Sequence, residues 1–449
     1  ANQLPDPSVR RLFTDNGSDS TLSGASNAIS TGNINAFTMA DFGLTASSTV
    51  TVDEMIRWMR GEDIKDIDGD PNTTVRYSMG DPLHSRPAAI VYGGTATNPD
   101  AVIYTATNDG YLHAVDAETG VELWSYVPRE LLPRMAVLYD DPEMKYKLYG
   151  LDGDIVPVLR DVDRDGQIEA ADGDMALILV GMRRGGNKYR MLNVTDKNNP
   201  VLVWERTLTD GGESWSAPVV TRMDVANSGQ NEFKAVAIIG GGYARVHDTP
   251  AYNADPDIVG AGVHVVDLLT GETLWYAGHD TGNADLKLDS MSKAIPTRVK
   301  VIDINGDGFA DRMYAADLGG QVWRFDVSNG NPRASLVAGG VIAQLGAEGL
   351  GTPTPADTRR FYNSPDVAMF KDVRQNRRFI SISIGSGYRA HPLDLSAADR
   401  FYSIRDPNVF NSLTQEQYNN FVPFTDSDLI EVSGEVNTTI TADDAGWKL

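Results

Sequence analysis

The chain contains no cysteine among its 449 residues. This absence excludes disulfide bonds, zinc–thiolate sites, iron–sulfur clusters and cysteine nucleophiles. No apolar run approaches the ~20 residues that a membrane-spanning helix requires, so we expect no membrane span in this segment. The six histidines form no His-Glu-x-x-His pair, and the chain has no Gly-x-Ser-x-Gly elbow and no Walker lysine. Since the common catalytic signatures are missing, we expect the protein not to be an enzyme.

Basic residues are also scarce, because 39 Lys and Arg face 62 Asp and Glu, which gives a formal net charge of −23. A surface this acidic repels phosphate backbones, so we expect no nucleic acid partner. Clustered carboxylates would suit divalent cations, whereas dispersed ones serve only solubility. Hydrophobic residues make up 41% of the chain, enough for a sizeable core. The length fits one large β-propeller.

Short β-rich runs separated by turn residues begin near residue 81. Within residues 101–128, three such runs are separated by turns at Asn108-Asp109-Gly110 and at Thr119-Gly120. Asp-Gly between two alternating runs is a strong hairpin signal. This passage therefore predicts an antiparallel meander.

The same unit recurs along the chain. Residues 260–278 repeat the turn and the tryptophan, residues 318–331 repeat Gly-x-Val-x-x-x-Asp, and residues 188–207 form a looser copy. A strand led by proline precedes each unit; these prolines are Pro87, Pro157, Pro218, Pro296 and Pro365. Five units of irregular length, each with about four short strands, predict a β-propeller whose blades carry inserted loops.

We expect the propeller to occupy residues 81–449 and a loop-rich extension to occupy residues 1–80. The first 50 residues are rich in Ser, Thr, Asn, Gly and Asp and show little periodicity. One helix is predicted at about residues 52–60, since Thr51 and Glu54 have capping-box spacing before an apolar stripe. We expect this helix to pack against the larger domain.

The sharpest candidate for a metal site is DINGDGFAD, residues 303–311. Calcium takes six to eight oxygen ligands, and side chains at alternate positions converge on one ion when the backbone curls around it. The closing glutamate of an EF-hand is missing, and the flanking residues read as strands. An ordinary Asn/Asp/Gly hairpin is the alternative interpretation. The predicted calcium ligands are Asp303, Asn305, Asp307, Phe309 (through its carbonyl) and Asp311.

A second acidic loop, DVDRDGQIEAAD at residues 161–172, matches the EF-hand frame more fully. An aspartate at its twelfth position reaches less far than glutamate, which weakens calcium binding or shifts the site toward magnesium. The alternative is an acidic turn without metal. The predicted ligands are Asp161, Asp163, Asp165, Gln167 (through its carbonyl), Glu169 and Asp172.

Several segments resemble the PilC/PilY family of type IV pilus tip-associated adhesins. They are GDPLHSRPAAIVYGG (80–94), NDGYLHAVDAETGVELWSYVP (108–128), GGNKYRMLNVTD (185–196), FYNSPDVAMF (361–370) and FYSIRD (401–406). The resemblance implies an all-β fold, a modified β-propeller of the quinoprotein type with about seven irregular blades, plus a short N-terminal helix and loop extension. Because the closing Gly446-Trp447 resembles the start of a further family strand, we expect the chain to stop short of the full domain.

The resemblance also has implications for the candidate sites. The family's calcium loop matches residues 303–311 position by position, whereas residues 161–172 have no counterpart in that pattern. The Arg-Gly-Asp found in some relatives is missing here, so that adhesive mode is not expected.

The resemblance implies a role in pilus biogenesis, adhesion to host or abiotic surfaces, and calcium-regulated pilus extension and retraction, which drive twitching motility. Its partners would be minor pilins of the pilus tip, and its location would be the cell surface, at the pilus tip or associated with the outer membrane. One alternative is a quinone (PQQ)-dependent dehydrogenase-like propeller, because those enzymes share the Asp-x-x-Thr-Gly-x-x-x-Trp motif. Another is a scaffold propeller that needs no metal.

Overall fold

A computed structural model describes residues 4–449 with gaps at 67–68, 71, 228–229, 280–282, 373–375, 433–439 and 441–443. Its contacts divide the chain into two compact units, Ala1–Arg206 and Thr207–Leu449. Both units are built from β-sheets, as the repeats predict. In the part of the chain that the structure describes, no helix has the length and apolar character needed to cross a bilayer.

The first sheet of the first unit is the predicted meander with one added strand. Its strands are β1 (Leu12–Phe13), β2 (Ala88–Thr95), β3 (Asn98–Ala106), β4 (Leu112–Asp116) and β5 (Glu122–Tyr126). Strands β2 to β5 are joined by antiparallel hairpins, and β1 pairs in parallel with β5. The turn residue Gly110 has a φ of 97°, a left-handed conformation that glycine adopts without steric cost. The sequence signal for this hairpin is thus explained.

Helix α1 (Val52–Arg60) lies where the sequence predicts it. The Glu54 N–H donates to the Thr51 hydroxyl at 3.2 Å, and the Thr51 N–H donates to the Glu54 carboxylate at 2.9 Å, so the capping box is formed. Met55 and Ile56 are fully buried in a hydrophobic cluster that includes the first sheet. The predicted boundary near residue 81 stays a prediction, and residues on both sides of it share this cluster.

The second sheet of the first unit is a four-stranded meander. Its strands are β6 (Ile155–Arg160), β7 (Met175–Gly181), β8 (Lys188–Asn193) and β9 (Val201–Thr207). Helix α2 (Met135–Asp140) lies between the two sheets in the sequence. Strand β7 is almost fully buried, which fits its continuous apolar run.

The second unit contains three five-stranded sheets. The third sheet of the chain comprises β10 (Val219–Asn227), β11 (Gln230–Gly240), β12 (Gly262–Asp267), β13 (Thr273–Gly278) and β14 (Leu286–Lys287). The fourth comprises β15 (Lys300–Ile302), β16 (Arg312–Ala316), β17 (Gln321–Val327), β18 (Val337–Gln344) and β22 (Phe424–Thr425). The fifth comprises β19 (Asp366–Asp372), β20 (Arg377–Gly385), β21 (Phe401–Asp406), β23 (Ile430–Glu431) and β24 (Gly446–Lys448).

The core of the second unit lies between neighbouring sheets. Because side chains alternate along a strand, β16 buries Met313 and Ala315 in one hydrophobic cluster and Tyr314 and Ala316 in another. The first cluster joins the third and fourth sheets, and the second joins the fourth and fifth. Helix α3 (Gln415–Asn419) places Tyr418 in the second cluster.

Each sheet corresponds to one unit predicted from the sequence, and the all-β, propeller-type fold class is confirmed. The described residues form five such sheets, so the expected number of about seven blades is higher than the number these residues build. The proline that precedes each unit in the sequence lies in or just before the first strand of its sheet. These strands are β2, β6, β10, β15 and β19, and all of them are edge strands. Proline has no N–H to donate to a sheet ladder, and an edge strand tolerates that loss.

Short 3-10 helices fill several connections. They are Ala25–Asn27, Thr31–Ala36, Ala40–Phe42, Arg129–Arg134, Ala170–Asp172, Arg183–Gly185, Arg245–Asp248, Arg333–Ser335, Pro355–Asp357 and Asp426–Asp428. One of them lies inside the second acidic loop, so that loop carries a helical turn that the first does not.

Candidate metal loops

The loop of residues 303–311 connects β15 to β16, as the strand-like flanks predict. The ladder pair Ile302↔Arg312 closes the loop at its base. Gly306 and Gly308 have φ values of 81° and 88°, and these left-handed conformations let the chain curl tightly. The predicted bend at the sixth position is therefore present, and the fourth position bends as well.

Three side chains of this loop turn back onto its own backbone. The Asp303 carboxylate accepts hydrogen bonds from the N–H groups of Gly306 and Gly308, at 2.6 and 2.8 Å. The Asn305 side-chain oxygen accepts from the Asp307 N–H at 2.8 Å, and the Asp307 carboxylate accepts from the next-but-one N–H at 2.9 Å. These bonds join the predicted ligand side chains to one turn of backbone, although Asp303, Asp307 and Asp311 do not form a group whose carboxylate oxygens all lie within 4.8 Å of one another.

Asp311 closes the loop from the other end. Its carboxylate accepts from the Ile304 N–H at 2.7 Å and from the Asn305 N–H at 3.2 Å. A residue at the ninth position thus reaches back to the second and third positions. The predicted ligand side chains of this loop all belong to one hydrogen-bonded turn.

The second acidic loop connects β6 to β7 and repeats this scheme. The Asp161 carboxylate accepts from the N–H groups of Arg164 and Gly166, at 2.5 and 3.0 Å. Asp163 accepts from the Asp165 N–H at 3.3 Å, and Asp165 accepts from the Gln167 N–H at 2.8 Å. Carboxylate oxygens of Asp161, Asp163 and Asp165 lie within 4.8 Å of one another.

The residue that closes the second loop is Asp174, which lies outside the predicted set. Its carboxylate accepts from the Val162 N–H at 2.7 Å and from the Glu169 N–H at 3.0 Å. These two N–H donors hold the pKa of Asp174 below its usual value. Asp174 therefore occupies the place of Asp311. Sequence reasoning missed it because a fixed twelve-residue frame ends at Asp172.

A usable signal for Asp174 was its position relative to the next strand. Asp311 immediately precedes β16, and Asp174 immediately precedes β7. Neither Glu169 nor Asp172 belongs to the group of three close carboxylates. Instead, the charge of Asp172 and a hydrogen bond between the two side chains raise the pKa of Glu169.

The carboxylates of the second loop repel one another. The N–H of Asp165 lowers the pKa of Asp163, but slight desolvation and the charges of Asp165, Asp161 and Asp174 outweigh it, so the pKa is raised overall. A bound cation would relieve this repulsion, because it favours the charged form of each carboxyl group.

Both loops are fastened in the same way to the first strand of the preceding sheet. The N–H of the eighth position donates to a strand carbonyl: Ala310 to Arg222 on β10 at 2.9 Å, and Ile168 to Tyr92 on β2 at 3.0 Å. In the first loop, the Phe309 ring also lies 5.3 Å from the ring of Phe233 on β11. The conformation of each loop is therefore coupled to a neighbouring sheet.

The donor set of both loops consists of carboxylate, amide and backbone oxygens, without histidine. Hard cations such as calcium and magnesium prefer these ligands. The candidate ligands of each loop come from one contiguous segment, so an ion held there would have little coordination left for a substrate.

Curated proteins that are similar to this chain are named as type IV pilus biogenesis factors. No protein-family model matches it. A type IV pilus biogenesis factor PilY1 homolog from Xylella fastidiosa (strain Temecula1 / ATCC 700964) is 26% identical over 320 residues, which are 65% of this chain and 23% of the relative. The type IV pilus biogenesis factor PilY1 of Pseudomonas aeruginosa (strain UCBPP-PA14) is 27% identical over 286 residues, 57% of this chain and 21% of the relative. The chain thus spans about a fifth of the length of these curated relatives.

Solved structures align with this chain at lower sequence identity than these relatives do. The Pseudomonas aeruginosa PilY1 C-terminal domain aligns with a TM-score of 0.48 at 22% identity and covers 74% of this chain and 62% of that domain. The quinohemoprotein alcohol dehydrogenase from Comamonas testosteroni aligns with a TM-score of 0.35 at 12% identity, covering 72% of this chain and 41% of the enzyme.

Proposed function

Because this chain belongs to the PilC/PilY family, whose curated relatives are named type IV pilus biogenesis factors, we propose that it acts in pilus biogenesis as a calcium-binding, non-enzymatic β-propeller domain. The observation that carries the calcium part is the shared architecture of the two acidic loops. The residues at the first, third and fifth positions make the same hydrogen bonds in both loops, and both loops are anchored to the preceding sheet.

The principal calcium site is the loop of residues 303–311. Asp303, Asn305, Asp307 and Asp311 would hold the ion with the backbone carbonyl of Phe309. The second site would be held by Asp161, Asp163, Asp165 and the carbonyl of Gln167. There Asp174 takes the part that was predicted for Glu169 and Asp172, because its carboxylate is the one that reaches into the turn.

Calcium occupancy would act on the surface that the protein presents to its partners. Without the ion, mutual repulsion among the carboxylates loosens the turn. In the first loop this change reaches β10 and β11 through the Ala310–Arg222 hydrogen bond and the Phe309–Phe233 ring contact. The neighbouring sheet would then present a different edge to minor pilins or the retraction machinery, which would regulate extension, retraction and twitching motility.

Adhesion to host or abiotic surfaces and a position at the pilus tip or outer membrane belong to the same proposal. They rest on the relatives' role in pilus biogenesis. No Arg-Gly-Asp is present, so an adhesive contact would use another surface.

Calorimetric titration with calcium after chelator treatment, with magnesium as the competing ion, tests the proposal directly. Two binding events are expected, one lost in Asp303→Ala and the other in Asp161→Ala. Glu118→Ala, which removes an exposed carboxylate outside both loops, is the matched control and should keep both events. A single event lost only in Asp303→Ala would reduce residues 161–172 to an acidic turn.

The absence of binding at millimolar calcium would refute the metal sites and leave a metal-independent scaffold propeller. Dye-linked alcohol oxidation after reconstitution with the quinone would instead identify a dehydrogenase. The regulatory step needs a separate assay, in which Asp303→Ala is placed in the full-length protein in cells. Unchanged twitching and piliation in a variant that no longer binds calcium would contradict regulation by this site.

A further inference from the structure

A cavity of about 220 Å³ in the first unit is unrelated to the acidic loops. Helix α1 contributes Trp58 and Met59 to its wall, and helix α2 contributes Met135 and Leu138. The ring of Tyr111 completes this apolar side. The volume is comparable to that of one large amino-acid side chain, so the cavity suits a small group rather than a drug-sized ligand.

The polar side of the cavity is dominated by the guanidinium of Arg76. It donates to the Ser78 hydroxyl at 2.5 Å and to the Trp58 carbonyl at 3.1 Å, and it lies 4.4 Å from the centre of the Trp58 ring. Its Nε is buried without a hydrogen-bond partner. Among the described residues, no carboxylate oxygen lies within 4.0 Å of this side chain.

Arg10, on the same wall, shows the opposite arrangement. Its guanidinium donates to both carboxylate oxygens of Glu122, at 2.7 and 3.0 Å, and the imidazole of His113 bonds the same carboxylate at 2.6 Å. The charge of Arg10 is therefore balanced inside the protein. The remaining carboxylate of the lining, Asp109, accepts from the Gly80 N–H and from the Thr107 hydroxyl and makes no ion pair with Arg76.

A partly buried cation that no carboxylate contacts is unfavourable, because its desolvation is offset only in part. Burial lowers the pKa of Arg76, and the charges of Tyr111, Asp109 and Asp63, which raise it, do not outweigh that effect. The chain carries 62 acidic residues, yet it places none of the described carboxylates on this guanidinium. A ligand that brings its own anion would supply the missing charge-assisted hydrogen bond.

We propose that this cavity binds a carboxylate that carries an apolar group, with the carboxylate on Arg76 and the apolar group against Trp58, Met59 and Met135. Two sources supply this chemistry, a free organic acid and the C-terminal residue of a polypeptide. Both present a carboxylate next to an apolar side chain, and capture of a chain terminus is a known mode of peptide recognition.

Binding of N-acetyl-phenylalanine to the whole chain, followed by ligand-observed NMR, tests the proposal against its uncharged amide. The acid should bind at least tenfold more tightly than the amide, because a hydrogen bond to a charged group is worth more than a tenfold change in affinity. Arg76→Gln should lower the affinity for the acid at least tenfold and leave that for the amide unchanged. Equal binding of acid and amide to the native chain would overturn the proposal.

Arg86→Gln is the matched control, since the Arg86 side chain is 89% exposed and lies outside the cavity lining. It should bind the acid as the native chain does. Because Arg76 also supports Trp58, a second variant, Met79→Trp, fills the cavity from the exposed side and leaves Arg76 in place. Retention of full affinity for the acid in both cavity variants would refute the site.

A short peptide that ends in phenylalanine distinguishes the two sources. Tighter binding of the peptide than of N-acetyl-phenylalanine supports the site and identifies a polypeptide C-terminus as its ligand. Equal binding supports the site and identifies a small acid.

Discussion

Mild acid should destabilise the second unit through His264. This imidazole is 1% exposed and stacks on the ring of Tyr276, with 4.4 Å between the ring centres. Its Nδ1 has no hydrogen-bond partner within the described part of the chain. Burial lowers the pKa of His264 to about 3. The folded protein therefore keeps this side chain neutral at pH values where the unfolded chain protonates it.

The size of the effect follows from the two pKa values. The unfolded chain binds a proton at His264 below about pH 6.5, whereas the folded protein does so only near pH 3. Between these values the free energy of unfolding falls as the pH is lowered, by about 1.4 kcal/mol per pH unit. The contribution of the neutral histidine is complete above about pH 6.5, and about 2 kcal/mol of it is lost at pH 5.

Urea denaturation of the native chain and of His264→Phe, at about pH 7.5 and pH 5, isolates the contribution of His264 to the free energy of unfolding. The replacement removes the titrating group and keeps a flat ring beside Tyr276. Any packing cost of phenylalanine is independent of pH, so it cancels when the two pH values are compared. The stability of His264→Phe relative to the native chain should rise by about 2 kcal/mol on going to pH 5.

Leu393→Ala is the control, because it removes a side chain that is 93% exposed and does not titrate, so its stability relative to the native chain should be the same at both pH values. A gain of less than about 0.5 kcal/mol for His264→Phe between the two pH values would show that the folded protein does not hold the His264 imidazole neutral.

Three further predictions concern other parts of the chain. Arg324→Met leaves the buried carboxylates of Asp326 and Asp406 without this partner and should cost about 3–5 kcal/mol in urea denaturation. A cost below about 1 kcal/mol would contradict its role in that network. Thr51→Ala removes the cap of α1 and should cost about 1 kcal/mol, whereas Thr51→Ser should restore most of it, and equal stability of both variants would exclude the cap. Asp174→Asn should weaken the calcium event of the second loop in calorimetry and spare that of the first; an unchanged second event would show that Asp174 is no ligand and no support for one.

The repeats and the helix could be predicted because their signals are local. Each hairpin has its own turn residues, and the capping box of α1 involves only neighbouring positions. Strand β1 could not be predicted in this way, because two residues carry no periodicity. Leu12 and Phe13 become a strand by pairing with β5, more than a hundred residues further along the chain.

The candidate metal loops could also be recognised from the sequence because their signals are local, and recognition failed where the signal is not local. The predicted ligands of residues 303–311 follow one another at alternate positions, and the turn that joins them is local. In the second loop, the inserted 3-10 helix moves the closing aspartate beyond the expected frame. A pattern of fixed length cannot register such an insertion, whereas the start of the next strand marks the closing residue in both loops.

His113 and His264 show why a repeat does not determine chemistry. They occupy the same place in GYLHAVD and AGVHVVD, and each lies in the buried third strand of its sheet. The ring of His264 stacks on Tyr276, whereas His113 makes a hydrogen bond to Glu122, which also forms an ion pair with Arg10 near the start of the chain. Burial would raise the pKa of Glu122, but the hydrogen bond from His113 and the charge of Arg10 lower it to about 2.

The two units should therefore lose stability in different pH ranges. Glu122 stabilises the first unit above about pH 4.3, and this contribution is lost as the pH falls toward 2, with about 2 kcal/mol gone at pH 3. The effect of His264 on the second unit begins near pH 6.5. Relative to the native chain, Glu122→Gln should therefore gain about 2 kcal/mol between pH 5 and pH 3 in urea denaturation. No gain between pH 5 and pH 3 would show that Glu122 titrates like an isolated group and that its distant partners do not set its pKa.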